Sequence, residues 1–282
     1  MRKDVVFVSA VCKAESKNLL TKEQISRLCD ADLDEALKIL HEKGYNDGVY
    51  TADSFDVDKF MSRQVALLVD FVKEYAPTQR AEKFILAPLE CNNIRALYKE
   101  SRGGAKSLLY NVDVSLDDLP KEIATVMNGL GEDISPKDAD YELAKAEADY
   151  TLRLAKGNKL FTEFAKAKID GINLLAKLRA KRLGIEMPFI PGGNFADKDA
   201  VKFEGTPYEE FASDDSVALE TGFSVALSEI AGSRNVDVDS CGPLLWYFNA
   251  KYDELKTVKM ILVCIKSNAR SEIAKRIRGL HE

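Results

Sequence analysis

The sequence predicts an all-α protein made of three similar helical domains. Apolar residues recur at intervals of three and four along most of the 282 residues, which is the period of a helix with one buried face. A ten-residue pattern also begins at residues 90, 170 and 254, at nearly equal intervals. Internal repeats of this kind indicate a repeated architecture, and they predict domains at residues 1–112, 113–188 and 189–282.

The repeated pattern, which we call the signature, has an acid at its first place, Asn or Thr at its fourth and a large aliphatic residue at its fifth. Copy 1 is Glu90–Lys99, copy 2 is Asp170–Arg179 and copy 3 begins at Glu254. The residues at the three places are Glu90, Asn93 and Ile94 in copy 1, Asp170, Asn173 and Leu174 in copy 2, and Glu254, Thr257 and Val258 in copy 3. Each copy is predicted to lie within a long helix.

Short motifs predict where the first helices begin and end. Thr21-Lys-Glu-Gln24 is a capping box, in which the hydroxyl and the amide satisfy free backbone donors, so a helix is predicted from residue 22. A second helix is predicted over Ala31–His41, ending at Gly44, and Asp47-Gly48 is predicted to form a turn.

Two long helices are predicted next. One begins at Asp56, carries a single apolar stripe and is stopped by Pro77. The other carries copy 1, contains Pro88 near its start and ends near Arg102-Gly103-Gly104. The first of these helices has the pattern of a helix packed on one side, and copy 1 is predicted to lie on the second.

The later helices are predicted from their first residues. Proline at the first helical position loses no backbone bond, so Ser135-Pro136 is predicted to open a helix that continues into the basic stretch with copy 2. Pro188–Asn194 is a turn-rich break before the third domain, and Cys241-Gly242-Pro243 starts the last long helix. A short basic helix is predicted from Ser271.

Charge is segmental along the chain. Residues 113–149 hold eleven acids and three bases, residues 151–182 hold nine bases and two acids, and residues 197–239 hold eleven acids and three bases. The net charge of −6 argues against general affinity for nucleic acid. Two interpretations of the blocks remain open, since they either pair with each other or form charged surfaces for a partner.

No residue pattern predicts a catalytic, metal or cofactor site. Gly103–Ser107 lacks the glycine that a phosphate loop needs directly before its lysine, and a helix-ending turn is the simpler interpretation. His41 and His281 have no Cys or second His at metal-binding spacing. The pairs Asp117-Asp118 and Asp214-Asp215 lack a further acid at the spacing that divalent-metal and diphosphate sites use, and they are interpreted as acids at helix N-termini.

Cysteine content and hydropathy indicate the cellular compartment in which the protein is expected. Five widely spaced cysteines without a Cys-x-x-Cys pair predict free thiols in a reducing cytosol. The apolar run Val5–Val8 is far shorter than the roughly 20 residues of a membrane span. Any association with a membrane is therefore expected to depend on another protein.

The signature residues themselves allow two interpretations. Asn93 and Asn173 either tie a helix to a loop or contact a partner, and the aliphatic residues at the fifth place are expected to be core. The basic residues around the copies form either a solvated face or a partner-binding face. They are Arg95, Arg179, Lys181, Arg182 and Lys259.

Nearly the whole chain resembles the family of C subunits of bacterial and archaeal V/A-type rotary ATPases, whose eukaryotic counterparts are the d subunits. The segments that carry the resemblance are Ala14–Glu23, the three signature copies, Phe189–Gly193, and Pro243–Tyr247 leading into Glu254–Lys259. The chain departs from the family pattern at Thr257, where members have Asn, and at Tyr98-Lys99, where members have Leu-Arg.

The resemblance implies a funnel-shaped, all-helical protein with a pseudo-threefold axis and no catalytic site. It implies a central-stalk role, in which the protein receives the rotor shaft formed by the D and F subunits, rests on the proteolipid ring and passes torque between ATP turnover and H⁺ or Na⁺ transport. The expected location is cytoplasmic and peripheral on the membrane through the complex. A soluble helical-repeat adaptor of another complex and an all-helical enzyme are the alternative functions.

Overall fold

The computed structural model describes residues 4–45, 54–105, 110, 112, 114–131, 133–195, 216–234 and 240–273. Over these residues the chain is helical without a strand, which confirms the predicted all-α class. The α-helices of the described part are α1 (Val5–Glu15), α2 (Lys22–Asp30), α3 (Leu33–Glu42), α4 (Val57–Tyr75), α5 (Gln79–Ser101), α6 (Lys121–Gly129), α7 (Pro136–Ala155), α8 (Lys159–Leu183), α9 (Ser216–Gly232) and α10 (Gly242–Lys266).

The chain forms two compact units. The first unit consists of Met1–Thr78 and Ala231–Glu282, and the second consists of Gln79–Ile230. Copies 1 and 2 of the signature, on α5 and α8, belong to the second unit, whereas copy 3, on α10, belongs to the first. The division into three similar domains about a pseudo-threefold axis stays a prediction.

Several helix ends lie where the sequence predicts them. Thr21 accepts from the backbone N–H of Gln24 at 3.3 Å while the Gln24 side chain accepts from the Thr21 N–H at 3.0 Å, which is the complete capping box. Asp56 caps α4 through the Lys59 N–H, and Ser135 caps α7 with Pro136 in its first turn. These local bonds explain why the helices begin where they do.

The prediction of one continuous helix from Ser135-Pro136 into copy 2 is wrong, because the helix is interrupted between α7 and α8. Gly157 adopts a φ of +84°, which ends the helical path, and the Asn158 side chain then caps α8 through the Phe161 N–H at 3.1 Å. Arg80 closes the end of α7 by donating to the carbonyls of Leu154 at 2.6 Å and Arg153 at 3.0 Å, and also to that of Lys156.

Three further segments of the sequence analysis have different outcomes. The apolar run Val5–Val8 opens α1, which Asp4 caps. The predicted turn at Asp47-Gly48 lies outside the described residues. The predicted basic helix from Ser271 is described only at its start, where Arg270–Glu272 form a 3₁₀ turn.

The first unit is organised around α10. This helix packs against α1, α2, α3 and α4 and buries most of its length. Aromatic rings fill the space beside it, since Phe60 stacks on Tyr45 at 6.1 Å between ring centroids and meets Phe55 edge-on at 5.2 Å. The copy 3 residues therefore lie on the central helix of this unit.

In the second unit α7 packs against α5, α6 and α8. The rings of Phe84 on α5 and Phe161 on α8 stack at 4.1 Å, which joins the two signature helices directly. On α8, Gly171 allows α9 to approach closely, because a Cβ there would lie 2.1 Å from the Phe223 ring. Among the residues that the structure describes, no helix is both long and apolar enough to cross a membrane.

Candidate functional site: the signature helices

Each signature copy points its first, fourth and fifth places toward the protein interior. The aliphatic residues at the fifth place are fully buried, and so are the acids of copies 2 and 3 and the fourth-place residues of all three copies. Asn173 is 1% exposed, for example, and Glu254 is 3% exposed. Buried polar groups are costly unless they are hydrogen-bonded, so their bonding partners decide what the signature does.

The asparagines clamp a loop to the helix. Asn173 donates to the carbonyl of Ile190 at 2.9 Å and accepts from its N–H at 2.8 Å. Asn93 does the same to Tyr110, donating and accepting at 2.9 Å, and donates to the Val112 carbonyl at 3.3 Å. An amide side chain can do this because it carries both a donor and an acceptor. In both copies the clamped residue lies 17 positions after the asparagine.

The acid of copy 2 holds the end of the same loop. Asp170 accepts from the N–H and the side-chain amide of Asn194, each at 2.8 Å, and from the Phe195 N–H at 3.1 Å. Burial nevertheless raises the pKa of Asp170, and these bonds oppose that rise. Gly193 has no room for a side chain, because a Cβ would lie 2.1 Å from Asp170 Oδ1. The Gly-Gly sequence therefore lets the loop close on Asp170.

The acids of copies 1 and 3 each accept from a tyrosine. Tyr150 donates to Glu90 at 2.9 Å, and Tyr45 donates to Glu254 at 2.7 Å. Glu254 also accepts from the Leu20 N–H and from Lys251 at 2.6 Å, while the Lys251 ammonium lies 4.1 Å from the centroid of the Tyr45 ring. Burial raises the pKa of Glu90 and, together with Glu254, raises the pKa of Tyr45 well above its ordinary value.

Copy 3 departs from the other two at its fourth place. The Thr257 hydroxyl donates to the Asp253 carbonyl of its own helix at 3.1 Å. Residue 274, which lies 17 positions later, is outside the described residues. Copy 3 thus keeps the buried acid, and its fourth-place hydroxyl makes a bond inside α10.

The third, sixth and tenth places of each copy form a second face, which we call the outward stripe. Its residues are exposed or half-buried, and none of them is an acid. They are Asn92, Arg95 and Lys99 in copy 1, Ile172, Leu175 and Arg179 in copy 2, and Lys256, Lys259 and Val263 in copy 3.

Every base of the outward stripe has an acidic partner. Arg95 donates from two nitrogens to Glu147, one of these bonds being 2.9 Å. Burial lowers the pKa of Arg95, but the hydrogen bond and charge of Glu147 outweigh burial and leave this pKa raised. The other four pairs are Lys99–Asp140 at 3.4 Å, Arg179–Glu220 at 3.2 Å, Lys256–Asp253 at 2.8 Å and Lys259–Asp58 at 2.8 Å.

These pairs show that the bases of the outward stripe already have acidic neighbours, which lie on α4, α7, α9 and α10. Between described residues, two ion pairs join the basic block 151–182 to the acidic blocks, Arg153–Glu122 and Arg179–Glu220, and a role of the blocks as partner surfaces stays a prediction. The pairs are mostly exposed, and the Arg179 side chain is 63% exposed. Exposed pairs contribute only about 0–1 kcal/mol, so they can separate readily.

The predicted partner-binding residues fall in both compact units. Arg95, Arg179, Lys181 and Arg182 belong to the second unit, and Lys259 belongs to the first. Lys181 and Arg182 are exposed in the last turn of α8, beside Leu183, which is 70% exposed. The sequence analysis did not single out two exposed aliphatic residues here, Leu183 at the end of α8 and Ile185 just after it.

The weaker motifs form ordinary local structure where they are described. Gly103 and Gly104 end α5 through bonds to the carbonyls of Glu100 and Lys99, so they form a helix-ending turn. His41 is exposed in the last turn of α3. No group of three or more His, Cys, Asp or Glu residues that could hold a metal occurs in the described part of the chain. Lys106, Ser107, Asp214, Asp215 and His281 lie outside it.

The sequence can be compared with curated proteins and with models of protein families. No curated protein sequence matches the chain. The family model described as ATP synthase (C/AC39) subunit matches residues 8–276, which include all three signature copies. Since this match spans nearly the whole sequence, the chain belongs to the family of ATP synthase (C/AC39) subunits.

Proposed function

We propose that this chain is a non-catalytic central-stalk subunit of a V/A-type ATPase. It seats the rotor shaft, made of the D and F subunits, on the membrane rotor ring and transmits torque between ATP turnover and H⁺ or Na⁺ transport. Family membership supports the assignment to an ATP synthase complex. The protein would be cytoplasmic and would reach the membrane through its partners.

The inward face of the signature supports a role under mechanical load. In the second unit, Asn173 and Asp170 fix one loop to α8 at two points, and Asn93 fixes another loop to α5. In the first unit, Glu254 ties α10 to Leu20 and Tyr45. These bonds are buried, where breaking one leaves an unsatisfied polar group at a cost of about 1–3 kcal/mol.

The observation that carries the proposal is the outward stripe, which has five bases and no acid in a protein of net charge −6. Its exposed pairs are weak, so carboxylates of a partner can replace the protein's own acids at little cost. Charged surfaces of this type favour association that is specific, reversible and sensitive to salt. A protein that must be assembled with and released from a rotor needs such a surface.

Charge reversal tests this surface. The double change Arg179→Glu and Arg182→Glu is expected to weaken binding of the D–F shaft at least tenfold in a pull-down at moderate salt. Arg153→Glu is the matched control, because Arg153 is also an exposed, paired arginine of the second unit but lies on α7. Unchanged shaft binding by the double variant would exclude this part of α8 from the interface.

Cross-linking mass spectrometry on native membranes tests the wider role. The proposal requires links from this chain both to a protein of the shaft and to a proteolipid of the ring. An adaptor of another complex would give neither link, and nucleotide turnover by the isolated protein would contradict the non-catalytic role.

A further inference from the structure

We propose that an exposed apolar strip on α1 and α4 docks a helix of a partner protein that carries aliphatic side chains beside a lysine or arginine. The apolar strip consists of Val6 and Phe7 on α1 and of Leu67, Phe71 and Tyr75 on α4, and all five residues belong to the first unit. The partner is identified only by this chemistry, so the inference goes beyond the proposed function and does not depend on it.

The apolar strip is continuous across the two helices. Leu67, Phe71 and Tyr75 are spaced four apart, so they lie on one side of α4. The ring centroids of Phe71 and Tyr75 are 4.7 Å apart, and those of Phe7 and Tyr75 are 6.2 Å apart, which connects α4 to α1. Val6 is 54% exposed, Phe7 55% and Leu67 46%. Exposed apolar surface that is contiguous in this way marks a site of interaction.

Helix α1 is apolar on both of its sides. Val8 and Cys12 are buried on the side that packs against α10. The other side exposes Val6, Phe7 and Ala10. A helix that is apolar all round is expected to be covered all round. Within the described part of the chain, nothing covers this second side.

The charge along the apolar strip is negative. Asp70 and Glu74 are exposed beside it on α4, and Glu15 is the last residue of α1. Burial raises the pKa of Tyr75, and the hydrogen bond and charge of Glu74 and the charge of Glu15 raise it further, so both carboxylates lie close to this tyrosine. Glu15 accepts from the neutral Asn18 at 3.2 Å. Among the described residues, none of these three acids is in an ion pair with a base.

The placement of Asp70 and Glu74 is unfavourable without a partner. Like charges four residues apart on a helix repel each other, and a carboxylate in the last turn meets the negative end of the helix dipole. Lys73 lies in the same turn, but it is half-buried and already has an interaction of its own, so it is not counted as a free charge. A base of the partner would relieve both repulsions, while aliphatic residues beside that base cover the apolar strip.

The same acids favour a protein partner over a membrane surface. Anionic lipid headgroups attract basic segments, and they would be repelled by Asp70 and Glu74. An amphipathic helix in a groove between two helices is a common mode of recognition, and its aliphatic residues are read at intervals of three and four. The apolar residues of α4 that it would meet are themselves spaced four apart.

Charge reversal at one acid tests the apolar strip. Glu74→Lys places a base in the last turn of α4, which suits the helix dipole, so urea unfolding should show a variant at least as stable as the wild type. Glu42→Lys is the matched control, because Glu42 is also an exposed acid in the last turn of a helix of the first unit, α3.

Photo-crosslinking measures the docking in the native cells. A benzophenone amino acid in place of exposed Leu67 of the full-length chain is expected to label another protein, at a segment with a lysine or arginine within one helical turn of an aliphatic residue. Glu74→Lys should lower the yield of this label roughly tenfold, and Glu42→Lys should lower it less than about twofold. An unchanged yield in Glu74→Lys, a label on a segment without a base, a cross-linked dimer of this chain, or no label would each overturn the docking assignment.

Cosedimentation with vesicles tests the membrane alternative. The purified protein is expected to stay in solution with vesicles of phosphatidylcholine and phosphatidylserine. Binding to these vesicles that is abolished by Leu67→Ser would assign the apolar strip to a membrane surface and would overturn the partner helix.

Discussion

The two faces of the signature helices use polar residues in opposite ways. On the inward face Asp170 and Asn173 are buried, and each makes at least two bonds to the loop at Ile190–Phe195. On the outward stripe Arg179 is mostly exposed and makes one long contact to Glu220. The inward residues of the motif therefore stabilise the fold, whereas its outward residues form exposed ion pairs that can separate.

Among the variants that test this comparison, Asn173→Ala is expected to lower the free energy of unfolding most. The change leaves the N–H and carbonyl of Ile190 without their partner in a buried place, so the free energy of unfolding should fall by about 2–4 kcal/mol. Asn92→Ala is the matched control on the other signature helix of this unit, and its exposed side chain predicts a change within about 0.5 kcal/mol. Urea unfolding of both variants measures the difference.

An equal fall in the free energy of unfolding for both variants would contradict the comparison, because burial of the Asn173 amide would then not explain how much it stabilises the protein. A small loss for both would show that the loop stays in place without the clamp. The same comparison with Asn93→Ala would test whether copy 1 behaves like copy 2.

A smaller effect that depends on pH is expected for Glu90→Gln. Because burial raises the pKa of Glu90, the folded state binds this proton more tightly than the unfolded chain. The resulting stability is fully present below the ordinary pKa and is lost as pH rises through the folded pKa. The glutamine side chain does not titrate and still accepts from Tyr150, so the stability of the variant relative to the wild type should increase from about pH 4 to about pH 7.

Tyr150→Phe gives the complementary result. It removes the hydrogen bond that opposes the rise in the pKa of Glu90, so it should destabilise the protein more near pH 7 than near pH 4. Urea unfolding of both variants at several pH values measures these trends. A difference that is constant with pH for Glu90→Gln would contradict the assignment of a buried, titrating carboxyl.

The sequence predicted the parts of the fold that depend on near neighbours. The capping box of Thr21 and Gln24 and the cap at Ser135 connect residues three apart, so their pattern is visible in the chain. The break at Gly157 was missed because the apolar period continues on both sides of it. Arg80, which closes α7, acts across more than 70 positions, and no local pattern indicates such a bond.

The candidate site shows the same limit. The signature identified the aliphatic residues at the fifth place as core, whereas it did not predict that the acids of copies 2 and 3 and the fourth-place residues are buried as well. It allowed Asn93 and Asn173 to tie a helix to a loop, but it did not indicate that the bound residues lie 17 positions later, or that Arg95 pairs with Glu147 on another helix. The alanines Ala87, Ala144 and Ala165 line one groove of the second unit, and they come from three helices that only the fold brings together.

The smallest effect on stability is expected on the outward stripe itself. Arg179→Ala removes one exposed contact at 3.2 Å, and Glu220→Ala removes its partner, so each should change the free energy of unfolding by less than about 0.5 kcal/mol. Their double-mutant cycle should give a coupling energy of similar size. A coupling above about 1 kcal/mol would show that this pair stabilises the fold. Arg179 would then be less free to exchange Glu220 for an acid of a partner. A weak coupling together with a large loss of shaft binding in the charge-reversed protein would separate recognition from stability on the same helix.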